Sequence, residues 1–289
     1  MRKVLLATTA LVAMSVTGAQ ADVSISGTAV FEIFSPSTGA QTFTSDGSLV
    51  IQGTETTDSG LTFTAYHDQT FEGSAVQDAY IQVGGDFGTL RMGQTDGALD
   101  RMDGALAQNM DLEGTGGQAG ALYGTAIGGD SQNISFHLPA MNGLSVYGET
   151  QADGAGSGLG VNYSIAGVGI MLQSTTGGAG ADATTMGATF GMGGIKVNVG
   201  SRTTDASGAV EKITANDIGA SYTMGDIKLV ATSARGKTGS GATARTDKYS
   251  NVGVQYTIAP GISAMLESGQ STVNAVDNDA TWAAISMKF

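Results

Sequence analysis

"TWAAISMKF", Thr281 to Phe289, ends the chain on a strict alternation. Ala283, Ile285, Met287 and Phe289 fall on one face of an extended strand, and Trp282, Ala284, Ser286 and Lys288 fall on the other. A strand sends successive side chains to opposite sides, so period two marks a sheet lying between two different environments. The same period recurs upstream of the terminus. Val23, Ile25, Ala29, Phe31 and Ile33 oppose Ser24, Ser26, Thr28 and Glu32. Ala79, Ile81 and Val83 oppose Asp78, Tyr80 and Gln82, while Ile134, Phe136 and Leu138 oppose Asn133, Ser135 and His137. Ile195, Val197 and Val199 oppose Lys196, Asn198 and Arg202, and Ile227 and Leu229 flank Lys228.

Turn residues separate these runs. Asp58-Ser59-Gly60, Gly84-Gly85-Asp86, Ala166-Gly167, Gly193-Gly194 and Gly225-Asp226 each sit between two alternating segments and read as hairpin turns. Longer polar stretches alternate with them: Ser35 to Asp46, Gly177 to Ala183, Thr203 to Glu211, Gly236 to Thr246 and Gln270 to Asp279. Short turns at one end and long loops at the other is the layout of a membrane barrel. The alternating segments number about sixteen, and an even count returns both termini to one side.

Composition agrees with this reading. The chain has 289 residues, 45 of them Gly, only 3 Pro and no Cys, which favours short strands and tight turns over packed helices. Arg2 and Lys3 precede an apolar stretch from Val4 to Val16, then Ala19-Gln20-Ala21, the pattern of a secretory signal peptide over residues 1–21. One domain, 22–289, is expected to follow. Loss of Arg2 and Lys3 leaves 11 basic residues against 26 acidic ones, a balance of −15, which disfavours nucleic acid and other polyanions as partners. No stretch after residue 21 approaches the ~20 apolar residues of a spanning helix, so any membrane is crossed by strands.

A soluble sandwich would alternate too, and the charges decide between the two. Glu32, Asp78, Arg91, Glu149, Lys196, Arg202, Lys228 and Glu267 occupy mid-strand positions on the polar face. In a dry core each would cost several kcal/mol. A water-filled lumen removes that cost, and the Ala-, Val- and Ile-rich opposite face can be solvated by lipid. Closure follows, because lipid cannot pair an open strand edge.

The final strand, stopping on Phe289, resembles the outer-membrane barrel families, whose last strand typically ends in Phe and is read by the barrel-insertion machinery. A second stretch, "GDFGTLRMGQ" from Gly85 to Gln94, resembles the one found in Gram-negative general diffusion porins, where it marks a periplasmic turn and the strand that leads into the constriction loop. The Gly-rich, Arg-poor style is most similar to the alphaproteobacterial porins. The resemblance implies a transmembrane antiparallel β-barrel of about 16 strands with an inward-folded constriction loop at about 95–131. It also implies a homotrimer in the outer membrane, in contact with the lipid bilayer and lipopolysaccharide, that passes small hydrophilic solutes and ions without catalysing a reaction.

Within the constriction loop, Asp96, Asp100, Asp103, Asp111 and Glu113 face a single Arg101, and the wall would supply Arg91, Lys196, Arg202 and Lys228. Family eyelets set loop acids against a basic cluster, yet Gln94 stands where the family often has Arg, and Arg91 is the only basic residue between Asp22 and Ala98. An acid-dominated eyelet with mild cation preference is therefore expected. An ordinary external loop is the alternative for the same segment.

Other chemistry is thinly represented. "GKT" at Gly236 to Thr238 lacks the earlier glycine of a phosphate-binding loop, where Ala231 stands instead. "GGAGADATT" at Gly177 to Thr185 resembles one calcium-binding nonapeptide, but a single copy cannot stack into a coil. The two histidines, His67 and His137, have no cysteine or paired partner, so they are expected to line the lumen or a loop rather than bind zinc. No cofactor is expected, although the loop carboxylates could hold calcium through oxygen ligands. A secreted acidic adhesin or surface-layer component, an outer-membrane enzyme and a substrate-specific channel stay open as other functions.

Overall fold

The structure, a computed structural model, describes residues 21–71, 76–95, 112, 131–151, 156–176, 182–205, 211–239 and 244–289. Sixteen strands carry the chain around one sheet. They are β1 (Asp22–Pro36), β2 (Thr42–Thr56), β3 (Thr62–Thr70), β4 (Val76–Gly85), β5 (Gly88–Thr95), β6 (Ser131–His137), β7 (Leu144–Gln151) and β8 (Ser157–Ile165). The second half comprises β9 (Val168–Thr176), β10 (Ala183–Met192), β11 (Ile195–Thr204), β12 (Ile213–Met224), β13 (Ile227–Thr238), β14 (Arg245–Ala259), β15 (Ile262–Val273) and β16 (Val276–Lys288). Each strand pairs with its sequence neighbours and β16 pairs with β1, so the sheet is a closed barrel. The terminus completes the seam: the Gly27 amide donates to the Phe289 carbonyl at 3.0 Å, and the Phe289 amide donates to the Gly27 carbonyl at 3.1 Å. Such closure leaves no edge for lipid to strip of hydrogen bonds.

The two faces separate as period two demands. Ile25, Phe31, Ile51, Ile81, Ile170, Leu172, Ile218, Val252 and Ile285 are exposed on the outside. Arg91, Asn133, Glu149, Gln173, Asn198, Arg202, Asp217, Asn251 and Glu267 are buried on the inside. At the short-turn end the outer face carries exposed Phe63, Phe87, Phe136, Phe190, Tyr222, Tyr256 and Phe289, a girdle of rings where a bilayer meets water. No helix among the described residues is long and apolar enough to cross a membrane.

Three details differ from the sequence reading. Gln270 to Asp279 is not a long loop: Val273 pairs with Val276, and Asn274 and Ala275 turn the chain at φ +52° and +62°. Both central residues in the left-handed region is the geometry that matches strand twist in a two-residue hairpin. The segment looks like a loop in sequence because its outward side chains are polar, and strands can stay paired beyond the height at which lipid requires apolar ones. For the same reason Ser35 to Asp46 is mostly strand, with β1 running to Pro36 and β2 resuming at Thr42. At the other end, Gly84 and Gly85 belong to β4, and the turn itself is Asp86-Phe87.

Candidate functional site

The lumen is built from the turn at Asp86-Phe87 upward. Gly85 pairs with Gly88, and Gly88 takes φ +110° where an added Cβ would lie 2.0 Å from the His137 carbonyl oxygen. Only glycine fits there. Phe87 then lies on the outer face, stacked on Phe136 with ring centroids 6.4 Å apart.

Strand β5 next points Arg91 into the barrel, where it is 9% exposed. Its Nε and Nη2 donate to Gln82 Oε1 at 3.2 and 2.7 Å, and its guanidinium carbon lies 4.0 Å from the centre of the Tyr80 ring. Tyr80 in turn stacks on Tyr66, with centroids 4.7 Å apart and planes 13° off parallel. The result is a guanidinium and two phenol rings in one pile on the wall of β3, β4 and β5. Gly93 makes space for it: at φ +142°, a Cβ would come within 2.7 Å of Tyr80 Cα. Beyond it Thr95 is fully buried and its carbonyl accepts from Asn133 Nδ2 at 2.7 Å, which secures the end of β5 where the 96–130 segment begins.

One residue of that segment is described. Leu112 is 4% exposed and sits inside the barrel against Val230, Trp282 and Ala284, with Val30, Phe34 and Met265 around them. These side chains come from β13, β16, β1 and β15, the far side of the wall from β5. The Leu112 amide donates to Glu267 Oε2 at 2.9 Å, and Glu267 itself is 1% exposed. Gly253 floors the seat, since a Cβ there would approach Leu112 Cδ1 to 2.8 Å. An apolar knob, an apolar socket and one carboxylate taking the backbone N–H make a defined attachment point.

The expected wall bases are all on the inner face but not in one cluster. Arg91 and Arg202 are buried, on β5 and β11. Lys196 is exposed just past the Gly193-Gly194 turn, and Lys228 is half-buried just past the Gly225-Asp226 turn, so both sit near the short-turn end. Arg202 lies farther along β11, diagonal to Asp217 across the β11–β12 pair. Asp96, Asp100, Arg101, Asp103, Asp111 and Glu113 fall outside the described residues, as does most of the 95–131 segment. Acids predominate on the inner face that is described, with Asp68, Asp78, Glu149, Asp217, Asp247 and Glu267 pointing inward by register.

His137 faces the lumen and meets Tyr147 edge-on at 4.6 Å. His67 corrects the sequence reading: it pairs with Ile51 and Ala79, both on the outer face, so it points away from the lumen. Among the described residues no group of three His, Cys, Asp or Glu side chains could hold a metal. The Leu112 seat was missed in the sequence because Val230, Met265 and Trp282 break the rule that the inner face is polar. Tyr66 and Tyr80 were missed as a pair because their stacking depends on register.

The sequence matches the Gram-negative porin family over residues 7–282. This chain belongs to that family. No curated protein sequence matches it significantly. Solved structures share the porin's fold at low identity. An anion-selective porin from Comamonas acidovorans is 15% identical with a TM-score of 0.77, covering 93% of this chain and 100% of its own. Salmonella typhi OmpF, in complex with daunomycin, is 14% identical with a TM-score of 0.78, over 92% of this chain and 97% of its own. The trimer form of OmpT, an outer membrane protein of Vibrio cholerae, is 15% identical with a TM-score of 0.76, over 93% and 100%. The porin is thus an outer-membrane channel whose polar lumen serves passive diffusion of small hydrophilic solutes and ions.

Proposed function

We propose that this porin is mildly cation-selective and that the 95–131 segment is its constriction loop. The observation that carries the reading is the acid-rich inner wall: Glu32, Asp46, Asp68, Asp78, Glu149, Asp217, Asp247 and Glu267 point inward against Arg91, Lys196, Arg202, Lys228, Arg245 and Lys288, with Arg245 ion-paired to Asp247 at 3.5 Å. Leu112, seated on Glu267, supports a loop that crosses the lumen from β5. In that arrangement Asp96, Asp100, Asp103, Asp111 and Glu113 line the eyelet and Arg101 offsets one of them, which raises the local concentration of cations. Residues 1–21 act as the export signal, and transport is passive, with no reaction catalysed.

A homotrimer completes the proposal. His67 and Gln69 lie on the outer face of β3, His67 opposite Ile51 and Ala79 and Gln69 opposite Leu49 and Val76. Polar groups at that place are costly against lipid and are better met by a second copy. The trimer form of the Vibrio OmpT structure supports the same assembly.

The test is single-channel conductance in a planar bilayer under a salt gradient. The reversal potential is expected to show cation preference, and replacing both Asp100 and Asp103 by Asn is expected to reduce it while the barrel stays folded. Anion preference of the native protein would reverse the assignment of the eyelet charge. Closure under high voltage in three equal steps would establish the trimer.

A further inference from the structure

Above the seat of Leu112, toward the long-loop end, the inner wall steps back. Glu267, Trp282 and Phe34 form one cross-strand row of that seat, with Glu267 opposite Trp282 and Trp282 opposite Phe34. In the next inward row Gly269 stands opposite Ala280, and Ala280 opposite Pro36. Parity gives this row the face of Glu267 and Trp282, which are 1% and 3% exposed inside the barrel. A carboxylate and an indole thus give way to a hydrogen and a methyl group, and the wall is hollowed there by about 310 Å³.

The hollow has an apolar side and a hydroxylated rim. Phe34 and Pro36 border it with their rings, and Phe34 is held in place by packing against the cluster of Leu112, Val230 and Trp282. Ser271 and Asn278 face each other across β15 and β16 in the next inward row and close the hollow on the long-loop side. Among the described residues the Asn278 side chain donates to the Val276 carbonyl at 3.4 Å, a bond that uses its nitrogen and not its oxygen. On the β1 side the Ser37 amide donates to the Asp279 carbonyl at 2.6 Å, and the Asp279 amide donates to Ser37 Oγ at 3.1 Å, which fixes this edge to the seam of the barrel. The Asp279 carboxylate has the outward parity, since it lies between the inward Asn278 and Ala280.

Charge says which solute the hollow suits. Among the described residues none that lines it is Lys or Arg, and the inward acids nearby are engaged. Glu267 takes the Leu112 amide, while Asp247 accepts from the Asn274 amide at 3.0 Å and pairs with Arg245 at 3.5 Å. An ion entering the hollow would exchange its hydration for hydroxyls and one amide, which favours a neutral solute instead. The shape asks for a solute with one apolar face to lie on Phe34 and with hydroxyls at its edge for Ser271 and Asn278. A sugar ring has that form. The volume lies at the lower end of the range for ligand sites and takes a single ring.

We propose that this hollow is a binding site for an uncharged monosaccharide, its ring face on Phe34 and its hydroxyls on Ser271 and Asn278. The inference rests on the diffusion reading of the porin and adds a solute class to it. Acids elsewhere on the wall serve cations, and this uncharged step gives neutral sugars a place to pause. A site inside a channel has to release what it binds, so its affinity belongs in the roughly millimolar range. A sugar held there lies beside the seat of Leu112 and narrows the water column, so its occupancy is read as a loss of ion current.

The test adds D-glucose to single channels in a planar bilayer and follows the salt current. Sorbitol is the control, an open chain of similar size and hydroxyl content that presents no ring face. In the native protein glucose is expected to lower the current along a saturating curve, with half its effect at roughly millimolar concentration, while sorbitol gives only the unsaturating fall of the bulk solution. Replacing Ser271→Ala and Asn278→Ala together is expected to raise the half-effect concentration about tenfold, as two neutral hydrogen bonds are lost. Ala280→Leu fills the hollow and is expected to abolish saturation. A glucose curve that does not saturate and matches that of sorbitol would overturn the proposal, in an arm that requires no variant to fold. So would equal half-effect concentrations in the native protein and both variants, or a saturating block by tetramethylammonium that Ala280→Leu removes, which would make the hollow a cation site. The salt current without sugar separates the two readings: channels that conduct salt but do not saturate with glucose reject the sugar site alone, and well-folded protein that conducts no salt rejects the diffusion reading beneath it.

Discussion

Two stretches of the lumen wall solve the same problem in opposite ways. On β3, β4 and β5 the wall is polar, with Arg91 held flat by Tyr80 and Gln82, and Tyr66 behind them. On β13, β15, β16 and β1 it is apolar at one spot, where Val230, Met265, Trp282, Ala284 and Val30 surround Leu112. On the first stretch, the described contacts run between neighbouring strands of the wall itself. The second is satisfied by a residue from another part of the chain. A lumen need not be uniformly polar: it can expose an apolar patch wherever something folds in to cover it, and the patch then marks where that segment is attached.

The comparison is broken most forcefully by Trp282→Ala. Emptying the socket is expected to cost about 3–5 kcal/mol of local stability. Heat-modifiable migration on a detergent gel should be lost at a clearly lower temperature, and Trp282→Phe should restore most of the difference. A native-like transition in the alanine variant would mean that the socket does not contribute to the barrel. Gly253→Val is gentler and more specific, because its side chain occupies the place of Leu112 Cδ1. With overpacking of about 1–3 kcal/mol, the barrel should persist while single-channel conductance rises and becomes noisier. Conductance identical to that of the native channel would show that the seat of Leu112 does not govern pore width. The smallest effect belongs to the polar wall. Tyr80→Leu removes a cation–π contact of about 0.5–2 kcal/mol and is expected to shift the reversal potential by only a few millivolts, leaving thermal stability close to native. A loss of stability comparable to that of Trp282→Ala would show that the two walls are not different in kind.

Alternation was legible residue by residue, and with it the two faces, the strand count and the need for closure. The turn chemistry was nearly as plain, as Gly88 and the Gly193-Gly194 and Gly225-Asp226 pairs show. Polar strands above the lipid belt were less so: Gln270 to Asp279 reads as a loop because composition reports the solvent, and pairing is decided by the neighbouring strand. His67 was misplaced for a related reason, since a polar side chain suggests the lumen but parity with Ile51 puts it outside.

Period-two patterning by itself determined that this chain is a barrel with a polar interior, because face preference is a property of each side chain and its immediate neighbours. Which residues meet inside was decided by tertiary structure alone. Leu112 and Glu267 lie 155 positions apart, and Arg235 meets Lys248 only through one particular register of β13 on β14. Register and closure arise from all the strands together, so the seat in the lumen exists only once the barrel has closed.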